Sequence, residues 1–238
     1  MLKEIFKISM ILAPIMSYAA SDHAHWTYSG KNGPEEWVES FEGCNGNYQS
    51  PINLTSSNNL NNKKTDIIFH YDDYKVEDNT HTIQINDLQS RYITIGNKNY
   101  SLAQFHFHIP SEHTIDGKKY AMEIHFVHKD DKNKLAVLGV LIKEGKSNKF
   151  IENILASTDK SNKSKFSLEE HNIMDLLPEN KAYYHYLGSL TTPPCTEGVN
   201  WYVFRNPIEA SKEEIAKFQK MFKSNARPVQ NINDRKIQ

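Results

Sequence analysis

Short runs of alternating apolar and polar residues, separated by turn residues, recur along most of this chain. They predict strands at Asp66 to Tyr71, Thr82 to Ile85, Tyr92 to Ile95, Tyr100 to His108, Ala121 to His128, Leu135 to Lys143, Tyr183 to Leu187 and Asn200 to Phe204. A period of two puts every second side chain on one face of such a strand. Helical signals are fewer. Pro34 to Ser40 has room for a turn or two, and Ser147 to Ala156 carries a Ser cap ahead of Phe150, Ile151, Ile154 and Leu155. Ser167 to Leu177 and Ser211 to Met221 each place a Glu three residues after a Ser, the arrangement of a capping box. Many strands and few short helices predict a single β-dominated domain. Thr55 to Thr65 and Ser157 to Lys165, rich in Asn, Ser and Lys, read as surface loops, and no linker or internal repeat divides the chain.

Composition agrees with one domain. The 238 residues are 38% hydrophobic and 24% charged, enough for one substantial core. Lys and Arg number 28 against 29 acids, a balance that offers nucleic acid no broad basic field and points to a small substrate. At the N-terminus, Lys3 and Lys7 precede an apolar run from Ile8 to Met16, and Ser17-Tyr-Ala-Ala20 follows with small residues suited to a signal peptidase. That run is too short to span a membrane. Residues 1–19 therefore read as a signal peptide and residues 20–238 as the mature domain, with a buried N-terminal helix as the alternative; Glu4 is unusual for a signal. Export implies a periplasmic or secreted protein without stable membrane insertion, and the two cysteines, Cys44 and Cys195, are an even count that fits an oxidising compartment.

Chemistry concentrates in two segments, Gln104-Phe-His-Phe-His108 and Glu123-Ile-His125. On a strand His106 and His108 share a face while Phe105 and Phe107 take the other, and a neighbouring strand can add His125. Three neutral imidazoles leave a zinc ion its full charge and a fourth, open position for water, which describes a catalytic and not a structural site. Gln104 and Glu123 each stand two residues from a candidate ligand and share its face, where an amide or carboxylate can accept the other ring N–H and fix the tautomer. By the same parity His128 faces away from His125 and cannot join the cluster. A polar strand face is the alternative for any His-x-His pair taken alone.

Around these residues the chain reads Gln104-Phe-His-Phe-His-Ile-Pro-Ser-Glu-His-Thr114, Ala121-Met-Glu-Ile-His-Phe-Val-His128, Leu135-Ala-Val-Leu-Gly139 and Gly188-Ser-Leu-Thr-Thr-Pro-Pro-Cys195. With His25-Trp26 and Gln49-Ser-Pro-Ile-Asn53, the whole resembles the alpha-class carbonic anhydrases, bacterial secreted branch, from about His25 to Arg235. The resemblance implies a large, twisted, mainly antiparallel sheet with short peripheral helices, one zinc per chain held by His106, His108 and His125, and Gln104 and Glu123 behind the ligands. It implies reversible hydration of carbon dioxide to bicarbonate and a proton, with weak hydrolysis of activated esters beside it.

The remaining roles also come from the resemblance. The Thr191 hydroxyl accepts from zinc-bound hydroxide and donates to Glu112, which aims the nucleophile. Thr192 lines the site, and Val127, Val137, Leu190 and Trp201 form an apolar wall for a substrate without charge or dipole. Proton release sets a limit: water of pKa about 7, the value known for carbonic anhydrases themselves, releases protons at only about 10³ per second when recapture is diffusion-limited. Turnover near 10⁶ per second, again the carbonic anhydrase reference figure, therefore needs a shuttle. His81 matches that shuttle, and Tyr28, Asn79 and Gln84 match the positions that order the intervening water, although animal enzymes usually carry Asn where this chain has Gln84. Cys44 and Cys195 match a bridge, with two free thiols as the alternative. The short Lys129 to Lys134 segment implies a more open cleft than in vertebrate relatives. Two rivals stand beside the enzyme: a catalytically silent carbonic-anhydrase-like binding protein, and a periplasmic zinc store.

Overall fold

The structure, a computed structural model, describes residues 25–57, 74–78, 82–87, 92–157 and 173–238. In chain order its main elements are α1 (Trp37–Ser40), β1 (Asn53–Leu54), β2 (Tyr74–Asp78), β3 (Ile83–Asp87), β4 (Tyr92–Ile95), β5 (Lys98–His108), β6 (Thr114–Ile115), β7 (Lys118–Lys119), β8 (Met122–Lys129), β9 (Leu135–Glu144), α2 (Lys149–Ser157), β10 (Tyr183–Ser189), β11 (Glu197–Phe204), β12 (Ile208–Ala210) and α3 (Lys212–Phe222). Nine strands form one mixed sheet in the order β10-β11-β9-β8-β5-β3-β2, with β4 on β5 and β12 on β9. Among the described residues of this sheet the β11–β9 and β12–β9 pairings are parallel and the others antiparallel. A small second sheet joins β1, β6 and β7. The expected strand at Asp66 to Tyr71, the start of the Ser167 helix, the N-terminal signal and most of both expected loops lie outside the described residues.

Alternation on the central strands sorts side chains onto two faces. Phe105 and Phe107 on β5, Ile124 and Phe126 on β8, and Leu138 and Val140 on β9 point to one face, where α2 and α3 cover them. Phe105 stacks on Phe126 at 5.1 Å, and Phe107 meets Phe218 of α3 at 5.0 Å. On the opposite face Val137, Leu141, Tyr184, Tyr186, Val199, Trp201 and Val203 form a second cluster with Ile52 and Leu54. Strand β9 is buried on both faces, which explains why it reads as a continuous apolar run and not an alternating one.

The helices differ in detail from the sequence pattern. Ser211 and Glu214 form the expected capping box at α3. Glu214 also accepts from Ser147 Oγ at 2.6 Å and from the Asn148 backbone, so one carboxylate joins the starts of α3 and α2. At α2 the capping oxygen belongs to Asn148, which accepts from Phe150 and Ile151, and not to Ser147, whose hydroxyl is committed to Glu214. The described end of the Ser167 to Leu177 segment is a single 3₁₀ turn, Ile173–Leu176. The Lys129 to Lys134 connection is a tight turn in which Asp130 Oδ1 accepts from the backbone of Lys132 and Lys134.

Candidate active site

Strand pairing brings the three histidines together. Antiparallel register sets His106 opposite His125, His108 opposite Glu123 and Gln104 opposite Val127, so all six side chains share the face away from the phenylalanines. The ring centroids of His106, His108 and His125 lie 4.5 to 5.4 Å apart, and one nitrogen from each lies within 4.8 Å of the others. Such a group can hold a metal ion.

Each imidazole gives its other nitrogen to the protein. His106 Nδ1 donates to Gln104 Oε1 at 2.8 Å, His108 Nδ1 to the Asn225 carbonyl at 2.7 Å, and His125 Nε2 to Glu123 Oε1 at 2.9 Å. The free nitrogens are therefore Nε2 of His106 and His108 and Nδ1 of His125. His108 Nε2 is buried with no hydrogen-bond partner, the orphaned lone pair that a metal would satisfy. Burial holds all three imidazoles in the neutral form a ligand needs: it lowers His108 to about 4 against the Asn225 bond, His106 well below its usual range, and His125 in the same direction.

Behind the ligands Glu123 is wholly buried, yet it is held well below the usual carboxylate range. Burial alone would raise it; His113 and His125 overcome that. Its two oxygens accept from His113 Nδ1 at 2.7 Å, from His125 Nε2, and from the backbone N–H groups of Glu112 and His113. Gly139 stands opposite His125 because space is short: a Cβ there would sit 3.0 Å from Glu123 Oε1 and 3.2 Å from Val203.

Glu112 is buried beside the cluster, 3.5 Å from His108 Nδ1 and 3.8 Å from His125 Nδ1. Burial pushes it up to about 7, against the electrostatic pull of nearby His125, a bond from the Arg227 backbone N–H and the Thr191 hydroxyl. Glu112 Oε2 is buried without a hydrogen-bond partner, and Thr191 is among the groups that favour the charged form of Glu112. Thr191 is 5% exposed, and its neighbours Leu190 and Thr192 are half-buried. Trp201 lies edge-on to His125 at 4.8 Å and belongs with Val137, Val127 and Leu190 to one apolar cluster. Val137 and Trp201 are each 1% exposed, whereas Val127 and Leu190 keep partial exposure, so the first two underlie the surface that the last two present.

Tyr28 packs edge-on to Trp26 and Trp37, and burial with the charge of Glu112 raises its hydroxyl well above the usual range. Gln84 pairs across the sheet with His106 and so shares its face. His81 and Asn79 lie outside the described residues. Cys44 and Cys195 are bridged, 4.8 Å apart at Cα, in a small cluster with Trp37. His128 faces the other side, buried, with Nδ1 donating to the Phe126 carbonyl at 3.0 Å.

Three partners were not legible as such. Asn225 reaches His108 through a backbone carbonyl, which no side-chain pattern can announce. His113 sits inside the quoted Pro-Ser-Glu-His motif, but it faces Glu123 only because the chain turns after β5. Arg227 meets Glu112 through its backbone, 115 residues away.

The sequence model of eukaryotic-type carbonic anhydrases matches residues 32–238. A carbonic anhydrase of Pectobacterium atrosepticum is 36% identical over 245 aligned residues, covering 99% of both chains. Among solved structures, the alpha-carbonic anhydrase of Thermovibrio ammonificans superposes with a TM-score of 0.82 at 42% identity, covering 90% of this chain and 98% of its own. The alpha-carbonic anhydrase of Photobacterium profundum gives 0.79 at 40%, covering 90% and 99%. Matches of this extent over the strands and loops that carry the histidine cluster mean that the chain belongs to the alpha, or eukaryotic-type, carbonic anhydrase family.

Proposed function

We propose that the chain catalyses reversible hydration of carbon dioxide to bicarbonate and a proton, with one zinc ion held by His106, His108 and His125. The observation that carries this reading is the arrangement of three neutral imidazoles, each tied at one nitrogen and open at the other, around a common point. When bound there, zinc supplies the Lewis acidity that turns water into a nucleophile near neutral pH, the behaviour for which carbonic anhydrases are the reference case.

The other tasks fall to the chain. Thr191, its proton drawn toward Glu112, offers the reacting oxygen an acceptor and thereby orients it. Val127 and Leu190, above Val137 and Trp201 and beside Thr192, present an apolar surface on which carbon dioxide can rest. His81 takes the proton out through water ordered by Tyr28, Asn79 and Gln84; an imidazole of ordinary pKa near 6.5 both accepts a proton and returns it to buffer. Gln104 and Glu123 hold the ligand rings in the tautomers that face the metal.

A silent binding protein would have no use for three intact and tautomer-fixed imidazoles, and a zinc store none for a buried Thr191 beside Glu112. Residues 1–19 act as a removed signal peptide and residues 20–238 as the mature domain, in the periplasm or outside the cell. The Cys44–Cys195 bridge supports an oxidising compartment, and among the described residues no helix is long and apolar enough to cross a membrane. The partner is carbon dioxide or bicarbonate; the near-neutral charge speaks against nucleic acid. Metal analysis tests the assignment. One zinc per chain is expected, with loss of zinc and activity when any one of the three histidines becomes Ala, and active protein without zinc would refute it.

A further inference from the structure

Arg227 is a buried cation whose two terminal nitrogens donate to neutral acceptors while its buried Nε has no hydrogen-bond partner. It is 2% exposed, and its guanidinium donates to Gln49 Oε1 at 2.8 Å, the Ser50 carbonyl at 2.9 Å and the Cys44 carbonyl at 3.4 Å, while lying 5.5 Å over the Trp37 ring. Burial lowers it to about 10, partly offset by the charge of Glu112. Desolvating a guanidinium on such partners is costly, so the contacts must accomplish something that a packed apolar side chain would not.

What they join is specific. The Arg227 backbone N–H donates to Glu112 Oε1 at 2.8 Å. Through its side chain Arg227 fixes the Gln49 amide, whose Nε2 donates to the carbonyls of Gly43 at 3.0 Å and Cys195 at 3.2 Å and to Glu197 Oε1 at 3.0 Å. Cys195 ends the loop that carries Thr191, and its N–H bonds the Thr192 carbonyl at 2.9 Å. Segments 43–44 and 194–195 approach so closely that a Cβ on Gly43 would collide with the Pro194 carbonyl. Thr191 and Glu112 come from separate segments, and both are tethered to this one residue.

We propose that Arg227 is a positioning residue for the reaction: its backbone holds Glu112 and its guanidinium, through Gln49, holds the 191–195 loop, setting the separation between Glu112 and the Thr191 hydroxyl. The inference rests on the reading that Thr191 and Glu112 orient the nucleophile. Arg227 touches neither substrate nor metal, and acts only through that pair.

A double-mutant cycle tests it, with kcat/KM for carbon dioxide hydration normalised to bound zinc and measured well below the melting temperature. Thr191→Ala should lose about 10²-fold, the scale of one positioned donor or acceptor. Arg227→Met should keep its zinc and lose about tenfold, and the double variant should be no slower than Thr191→Ala alone, since the lost orientation cannot be lost twice. If the double variant falls by the product of the two losses, or if Arg227→Met keeps the wild-type rate beside an impaired Thr191→Ala, the proposal is overturned and the orientation reading stands. A wild-type rate in Thr191→Ala overturns both. Should Arg227→Met not fold, Gln49→Met cuts the same tether from the other end and must show the same non-additivity with Thr191→Ala.

Discussion

Three imidazoles on two adjacent strands can serve a cation only if each surrenders one nitrogen to the protein, and Gln104, Asn225 and Glu123 each take one. A similar division of labour separates carbon dioxide conversion from proton export. In the proposed mechanism carbon dioxide is converted beside the metal, Thr191 and the apolar surface, and His81 is assigned the later task of carrying off the proton. Replacing His81 by Ala should therefore lower kcat at saturating carbon dioxide and low buffer while leaving kcat/KM almost unchanged. Added imidazole should restore turnover in proportion to its concentration until another step limits. If His81→Ala turns over like wild type in dilute buffer, protons leave by another route, such as directly to buffer through the wider mouth expected from the short Lys129 to Lys134 segment.

Strand β8 shows how two faces of one element give identical side chains opposite fates. His125 joins the cluster, while His128, three residues on, is buried against the helix-covered side, and burial lowers it to about 4 against its bonds to the Phe126 and Ala136 backbone. A histidine that stays neutral in the fold and titrates near 6.5 when unfolded leaves the unfolded chain binding more protons between those values. Its contribution is therefore fully present above pH 6.5 and falls away as pH drops toward 4, by about 3 kcal/mol in all. His128→Phe should gain that much on wild type between pH 6.5 and 4 in denaturant unfolding; a difference that does not change with pH would contradict the account. Parity of this kind was legible in the sequence, as were β4, β5, β8 and β9 within two residues at each end and the capping box at α3. The two-residue strands β1, β6 and β7 were not, because they are set by pairing partners and carry too few residues to show a period. Strand β2 was missed because Tyr74–Asp78 has only two apolar side chains to mark one. The tether at Arg227 was invisible for a further reason: it works through backbone atoms and contacts of long sequence separation.

Across the whole molecule the site is closed by distant segments. The C-terminal stretch supplies Asn225 and Arg227, and the bridge between Cys44 and Cys195 spans 151 positions. In the chain-entropy model a loop of that length stabilises the fold by roughly 5 kcal/mol at most. The native protein should show no reactive thiol until denatured and reduced, and Cys44→Ser/Cys195→Ser should unfold at lower denaturant by a few kcal/mol; unchanged stability would show that the bridge adds nothing to packing around Trp37. The central proposal is that the imidazole cluster of His106, His108 and His125 holds the metal on which carbon dioxide hydration depends. Its most direct test is the hydration rate of purified protein before chelation, after exhaustive removal of metal, and after adding back one equivalent of zinc. Activity should disappear with the metal and return with a single equivalent, with no recovery when His108, whose free Nε2 is the buried orphan, is replaced by Ala. Full hydration activity in metal-free protein, or an inert protein that binds one zinc at this cluster, would contradict the proposal.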